Sequence, residues 1–67
     1  MITISVNGEI KSVQKGLNII KLIEILAYKK EGFAVAVNMI FVPIAKYNET
    51  FIQEGDKVDI LAPVEGG

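Results

Sequence analysis

Ile2-Thr3-Ile4-Ser5-Val6 alternates apolar and polar residues with a period of two, the pattern of a strand with one buried face, here carrying Ile2, Ile4 and Val6 inward. Asn7-Gly8 follows. Both residues tolerate positive φ, as a type I′ hairpin turn demands, so residues 9–13 are expected to return as a second strand with Ile10 inward. Past Gly16 the period changes. Ile19, Ile20, Leu22, Ile23, Leu26 and Ala27 recur at spacings of three and four, which predicts a helix from Ile19 to about Lys30 with one apolar stripe. Asn18 is placed to cap it, Lys29 and Lys30 suit its negative end, and Gly32 is a positive-φ stop.

Phe33-Ala34-Val35-Ala36-Val37 is an unbroken apolar run, read as a central strand covered on both faces. Residues 40–42 form a short strand closed by Pro43, which belongs at a sheet edge or end because proline donates nothing to a ladder. The stretch from Ile44 to Gln53 is irregular, with one helical turn near Ala45-Tyr47. Glu54-Gly55-Asp56-Lys57 is a turn, and Val58-Asp59-Ile60-Leu61-Ala62 is the last strand, with Val58, Ile60 and Ala62 on one side. The order β-β-α-β-β-β, with a single amphipathic helix, gives a two-layer α+β domain whose sheet carries the helix on one face only. Ala34, Ala36, Phe41 and Leu61 are assigned to the open face.

Composition narrows the chemistry. A chain of 67 residues is one small domain that buries only about 60% of its unfolded surface. With no cysteine and no histidine, disulfides, thiolate metal sites and the commonest general base are excluded. The net charge of −1 offers no basic stripe for nucleic acid, and no apolar run approaches the ~18 residues that span a bilayer. Met1-Ile2-Thr3-Ile4 lacks the layout of a signal peptide, so a cytoplasmic location is expected. Glu54, Asp56 and Asp59 surround a turn glycine, but such residues are ordinarily a solvated turn, and no metal is assigned. The sequence has no Gly-rich nucleotide loop and no nucleophile–base pair.

What remains is the end of the sequence, Pro63-Val64-Glu65-Gly66-Gly67. Two glycines let a backbone thread a narrow channel. Pro63 fixes φ and removes a donor, so it either projects the tail or merely ends the strand. An extended segment from Pro63 to Gly67 reaches about 15 Å. Glu65 is either a solvated charge or a contact for a basic partner group.

The order and spacing of Val6-Asn7-Gly8-Glu9, Val35-Ala36-Val37-Asn38, Val42-Pro43, Thr50, Gly55-Asp56-Lys57-Val58-Asp59-Ile60 and the glycine-pair tail resemble the sulfur carrier family of thiamin thiazole synthesis (ThiS), over essentially the whole chain. The resemblance implies a ubiquitin-like β-grasp of four to five strands in a mixed sheet over residues 1–62, with residues 63–67 a flexible C-terminal tail. It implies that the Gly67 carboxylate is adenylated by an E1-like adenylyltransferase (ThiF-type) using ATP. A sulfur donor such as a cysteine desulfurase then makes it a thiocarboxylate, and the sulfur passes to the forming ring on thiazole synthase (ThiG-type). The chain would be a carrier, not an enzyme, with no bound cofactor and no nucleic-acid or membrane partner. Pro63, Val64, Glu65 and Gly66 would thread the partner's active site, and Leu61, Phe41, Ala34 and Ala36 would form the docking patch. Met39 and Ile40 belong either to that contact or to local core filling.

One departure concerns Asn38-Met39, where family members often have asparagine-glycine; a longer turn or another type is expected there, because methionine disfavours positive φ. Two neighbouring functions share the tail: the small subunit of molybdopterin synthase, a sulfur carrier toward a pterin precursor, and a ubiquitin-like modifier joined through Gly67 to lysines.

Overall fold

The computed structural model describes residues 1–26 and 34–61. It contains β1 (Ile2–Val6), β2 (Glu9–Val13), α1 (Ile19–Ile25), β3 (Ala34–Val37), β4 (Ile40–Val42), a 3₁₀ helix (Ile44–Glu49) and β5 (Lys57–Leu61). The strands form one five-stranded sheet in the order β2-β1-β5-β3-β4. β1 and β5 are parallel, and the other pairs are antiparallel. This is the mixed sheet and the element order expected from the sequence. The parallel pair places the first and last strands side by side at the centre.

The first hairpin turns through Asn7 (φ 49°) and Gly8 (φ 85°), both left-handed as its type requires. Val6 therefore pairs with Glu9, and Ser5 with Ile10. That register corrects the expected direction of Ile10. Partners across a two-residue turn share a face, so Ile10 lies on the face opposite Val6 and is 75% exposed. Val13, opposite Ile2, is the residue of β2 that reaches the core.

α1 begins at a capped end: the Asn18 side-chain oxygen accepts the Lys21 N–H at 2.9 Å, which satisfies one orphan amide of the first turn. The segment before it is stapled to residues 50–52, with Ile19 N–H donating to Thr50 O at 3.1 Å and Ile52 N–H to Leu17 O at 2.8 Å. The helix ends earlier than the expected Lys30, at Ile25 with Leu26 as its C-cap; Ala27, Lys29, Lys30, Gly32 and Phe33 lie outside the described residues. The single helical turn expected near Ala45-Tyr47 is a longer 3₁₀ helix that seats Tyr47 in the core.

Ile4, Ile19, Leu22, Val35 and Val58 are the most completely buried side chains. They join α1 to β1, β3 and β5 at the sheet's centre. At roughly 1.5–3 kcal/mol for each fully buried aliphatic side chain, this layer is the main source of stability in a chain without disulfides. Covering of β3 on both faces is met only in part among the described residues: Ala36, on the face away from α1, is 6% exposed. α1 lies over the face that carries Val35, while Ala34 on the other face is exposed.

Candidate functional site

Strand alternation sorts the candidate residues. On β5, Val58 and Ile60 face the core, and Asp59 and Leu61 face away from it. The register then sets Asp59 beside Ala36, Ala36 beside Phe41, and Leu61 beside Ala34. The four residues assigned to the open face thus lie on one surface, across three adjacent strands. They do not contribute equally. Phe41 is 61% exposed and Leu61 53% exposed, whereas Ala36 is only 6% exposed and serves as floor. Pro63, Val64, Glu65, Gly66 and Gly67 lie outside the described residues. Leu61, the last described residue, stands at the border of this surface.

The β4 edge of the sheet carries further exposed apolar side chains. Met39 and Ile40 are largely exposed, as is Ile44 just beyond β4. Core filling is therefore not the role of Met39 and Ile40. β4 is an edge strand with no charged residue, while the opposite edge, β2, carries Glu9 and Lys11, the usual protection against unwanted pairing.

β5 is held from both sides by the asparagines of the two hairpin turns. On the β1 side, Asn7 N–H donates to Val58 O at 2.9 Å, and Asn7 Oδ1 accepts Ile60 N–H at 2.7 Å. On the β3 side, Asn38 N–H donates to Lys57 O at 2.7 Å, and Asn38 Oδ1 accepts Lys57 N–H at 3.0 Å. Asn38 Nδ2 also donates to Asp56 Oδ1 at 3.0 Å, while Asp56 Oδ2 accepts Gln53 N–H at 2.8 Å.

The second turn is where the sequence reading needs its other correction. Asn38 (φ 53°) and Met39 (φ 73°) are both left-handed, and Val37 pairs with Ile40 across them. The turn is thus two residues long, of the type that asparagine-glycine would make. Asn38 is bonded to β5 through side chain and backbone, and this fixes the register and carries Met39 into a conformation it disfavours.

Asp56 and Glu54 are engaged with backbone amides, Glu54 Oε1 accepting Thr3 N–H at 3.1 Å. Among the described residues no group of three or more potential metal ligands comes together. A shallow apolar cleft of about 150 Å³ lies on the helix side, lined by Ile20, Ile23, Ile44 and Tyr47. It is below the usual size of a small-molecule site, ~300 Å³ or more. No helix among the described residues is long and apolar enough to cross a membrane.

Sequence reasoning missed the asparagine clamps. Their only signal was an asparagine at the first central position of each turn, which the first hairpin already explained by its φ alone.

Comparison with known proteins agrees with this architecture. The model of the ThiS family matches residues 4–67. A crystal structure of a thiamine biosynthesis protein (ThiS) from Geobacter metallireducens superposes with a TM-score of 0.86 at 26% identity, over 98% of this chain and 100% of that one. A solution structure of a thiamine biosynthesis protein from the same organism gives a TM-score of 0.82 at 26% identity, over 98% of this chain and 88% of that one. Among curated sequences, the uncharacterized protein ycf40 of Porphyra purpurea is 32% identical over 66 residues, and that of Pyropia yezoensis is 30% identical over 66 residues. Each alignment covers 98% of this chain and 93% of the relative.

Proposed function

The chain belongs to the ThiS family, and from that premise we propose that it is a sulfur carrier whose Gly67 carboxylate is the group that others modify. The observation that carries the proposal is the family match through residue 67, which includes the glycine pair.

At neutral pH a terminal carboxylate, with a pKa near 3.5, is ionised and a poor electrophile. A carboxylate oxygen of Gly67 attacks the α-phosphorus of ATP in the active site of an E1-like adenylyltransferase. Pyrophosphate leaves, and an acyl-adenylate forms. A sulfur nucleophile then attacks the carbonyl carbon, the C–S bond forms, and AMP departs with the C–O electron pair. With a persulfide from a cysteine desulfurase as donor, the product is an acyl disulfide. A second thiol cleaves it, leaving the thiocarboxylate on Gly67 and a disulfide on the donor. Thiazole synthase receives the sulfur. The chain itself contributes no catalytic group: it is a substrate of the adenylyltransferase, and ATP belongs to that enzyme.

Two features support the reading physically. Gly66 and Gly67 carry no side chains to obstruct a confining channel, and five extended residues from Pro63 to Gly67 would reach about 15 Å. The open face, with Phe41 and Leu61 exposed, provides apolar area for the enzymes that act on the chain. Intact mass spectrometry of the protein purified from its native host tests the proposal. The expected species shows the gain of one sulfur in place of one oxygen, localised to Gly67 by fragmentation. A population found only as isopeptide conjugates to lysines would identify a protein modifier, and co-purification with a large molybdopterin synthase subunit would assign the sulfur to a pterin precursor.

A further inference from the structure

We propose that Asp59 is the charged anchor of the open face, and that the partner surface docking there presents a guanidinium or ammonium group within an apolar surround. The inference rests on the reading above, in which an adenylating enzyme docks on this chain.

Asp59 stands out by elimination. Every other acidic side chain among the described residues has a partner. Glu9 pairs with Lys11 at 3.7 Å, Glu24 with Lys21 at 3.6 Å, and Glu49 with Lys46 at 2.9 Å. Glu54 and Asp56 accept backbone amides. The Asp59 carboxylate has neither a hydrogen bond nor an ion pair among the described residues. It is nonetheless half-buried, in a central strand. Lys57, two residues earlier on the same face, does not neutralise it: the Lys57 ammonium lies 3.7 Å from Met39 Sδ, toward the β3–β4 turn.

Toward β3 and β4 the surroundings of Asp59 are apolar and low. Ala36 lies directly beside it, Phe41 beyond Ala36, and the Leu61–Ala34 row follows. The alanines make a floor from which Phe41 and Leu61 rise at the borders. Asp59 shares the row of Phe41 and the strand of Leu61, so a partner that lies flat over Phe41, the alanine floor and Leu61 also covers the carboxylate at their corner. Removing a lone carboxylate from water costs several kcal/mol, more than either half-exposed apolar side chain returns on burial, roughly 1.5–3 kcal/mol at most. An apolar partner would therefore be rejected, and one carrying a cation at the matching position would be selected. Electrostatic complementarity of this kind acts on choice of partner and rate of encounter more than on the chemical step.

The experiment measures pyrophosphate release by the adenylating enzyme of the same organism as a function of carrier concentration. Asp59→Asn, nearly isosteric, is expected to raise KM about tenfold with kcat unchanged. Asp59→Glu should restore most of the loss, and Asp59→Lys should raise KM far more than Asp59→Asn. KM of the wild type should climb with ionic strength, because salt screens the pair, while that of Asp59→Asn stays nearly flat. Urea midpoints of wild type and Asp59→Asn should coincide, since no described contact is lost. A wild-type chain that is adenylated, with Asp59→Asn giving the same KM and the same salt dependence, overturns the inference and leaves the carrier reading standing. A wild-type chain that is never adenylated overturns both. A wild-type dimer in sedimentation that Asp59→Asn abolishes also overturns the inference, making Lys57 of a second copy the countercharge.

Discussion

Asn7 Oδ1 accepts the backbone N–H of Ile60 at 2.7 Å, linking the first hairpin turn to the last strand before the tail. The main chain of β1 leaves β5 after Val6 to enter the turn, and the side chain supplies the acceptor the main chain no longer offers. Asparagine suits both tasks at this position, since it tolerates the left-handed region and carries the oxygen. Asn7→Gly keeps the first property and removes the second. Its expected cost is about 1 kcal/mol, for a partly buried amide left without its acceptor. In a domain of this size that lowers the melting temperature by about 4–8 °C. Asn7→Ala, which adds left-handed strain, should lose more. Thermal denaturation of the two variants separates the terms.

Met39 holds φ 73° with a full side chain. The left-handed region costs a non-glycine residue roughly 1–2 kcal/mol, and the side chain is 74% exposed, so little packing offsets that strain. Met39→Gly is expected to stabilise the fold by about 0.5–1 kcal/mol, part of the relief being cancelled by the greater freedom of glycine in the unfolded chain. Urea titration of the two proteins checks the sign. A destabilised glycine variant would mean that the Met39 contact with Lys57 outweighs the strain.

Leu22 is fully buried at the centre of α1. Leu22→Ala removes its transfer energy and leaves a cavity, at about 2–5 kcal/mol. The total stability of a domain this small is itself only about 3–10 kcal/mol. The variant is expected to be substantially unfolded at physiological temperature, visible as loss of cooperative melting by circular dichroism.

Deleting Gly67 should separate fold from function. All the buried apolar residues of the described core lie between Ile2 and Ile60, so the truncated chain should melt with the wild type. Adenylation should be abolished, because the carboxylate retreats by one residue, ~3.3 Å along an extended chain. Pyrophosphate release by the adenylating enzyme, with wild type as control, gives the answer; full activity of the truncated chain would refute the role of Gly67.

Phe41→Ser and Leu61→Ser test the open face itself. Both side chains are more than half exposed, so each substitution should change stability by no more than about 0.5 kcal/mol. Each should raise KM for adenylation several-fold and leave kcat alone. Equal KM values would place docking elsewhere on the molecule.

The parts of this fold that can be read from the sequence are those set by local pattern. Ile2, Ile4 and Val6 declare β1 by alternation, Asn18 declares the helix start, and Pro43 closes β4. What could not be read depended on residues distant in sequence. The direction of Ile10 follows from its pairing with Ser5, and hydropathy alone pointed it the wrong way. The two-residue turn at Asn38-Met39 contradicts the preference of methionine, because bonds to Lys57 and Asp56, far along the chain, impose it. The open face was placed correctly because alternation along β3 and β5 needs only a known inward residue on each strand. That Asp59 stands in that face without a partner among the described residues required the register of three strands.

The parallel pairing of β1 with β5 has a bearing on how the molecule is made. The first strand leaves the ribosome early but has no central neighbour until the last strand has been synthesised. Interrupted translation therefore yields polypeptides that lack the middle of the sheet, and in such fragments the residues of β3 and β4 have no β5 against which to assemble the open face.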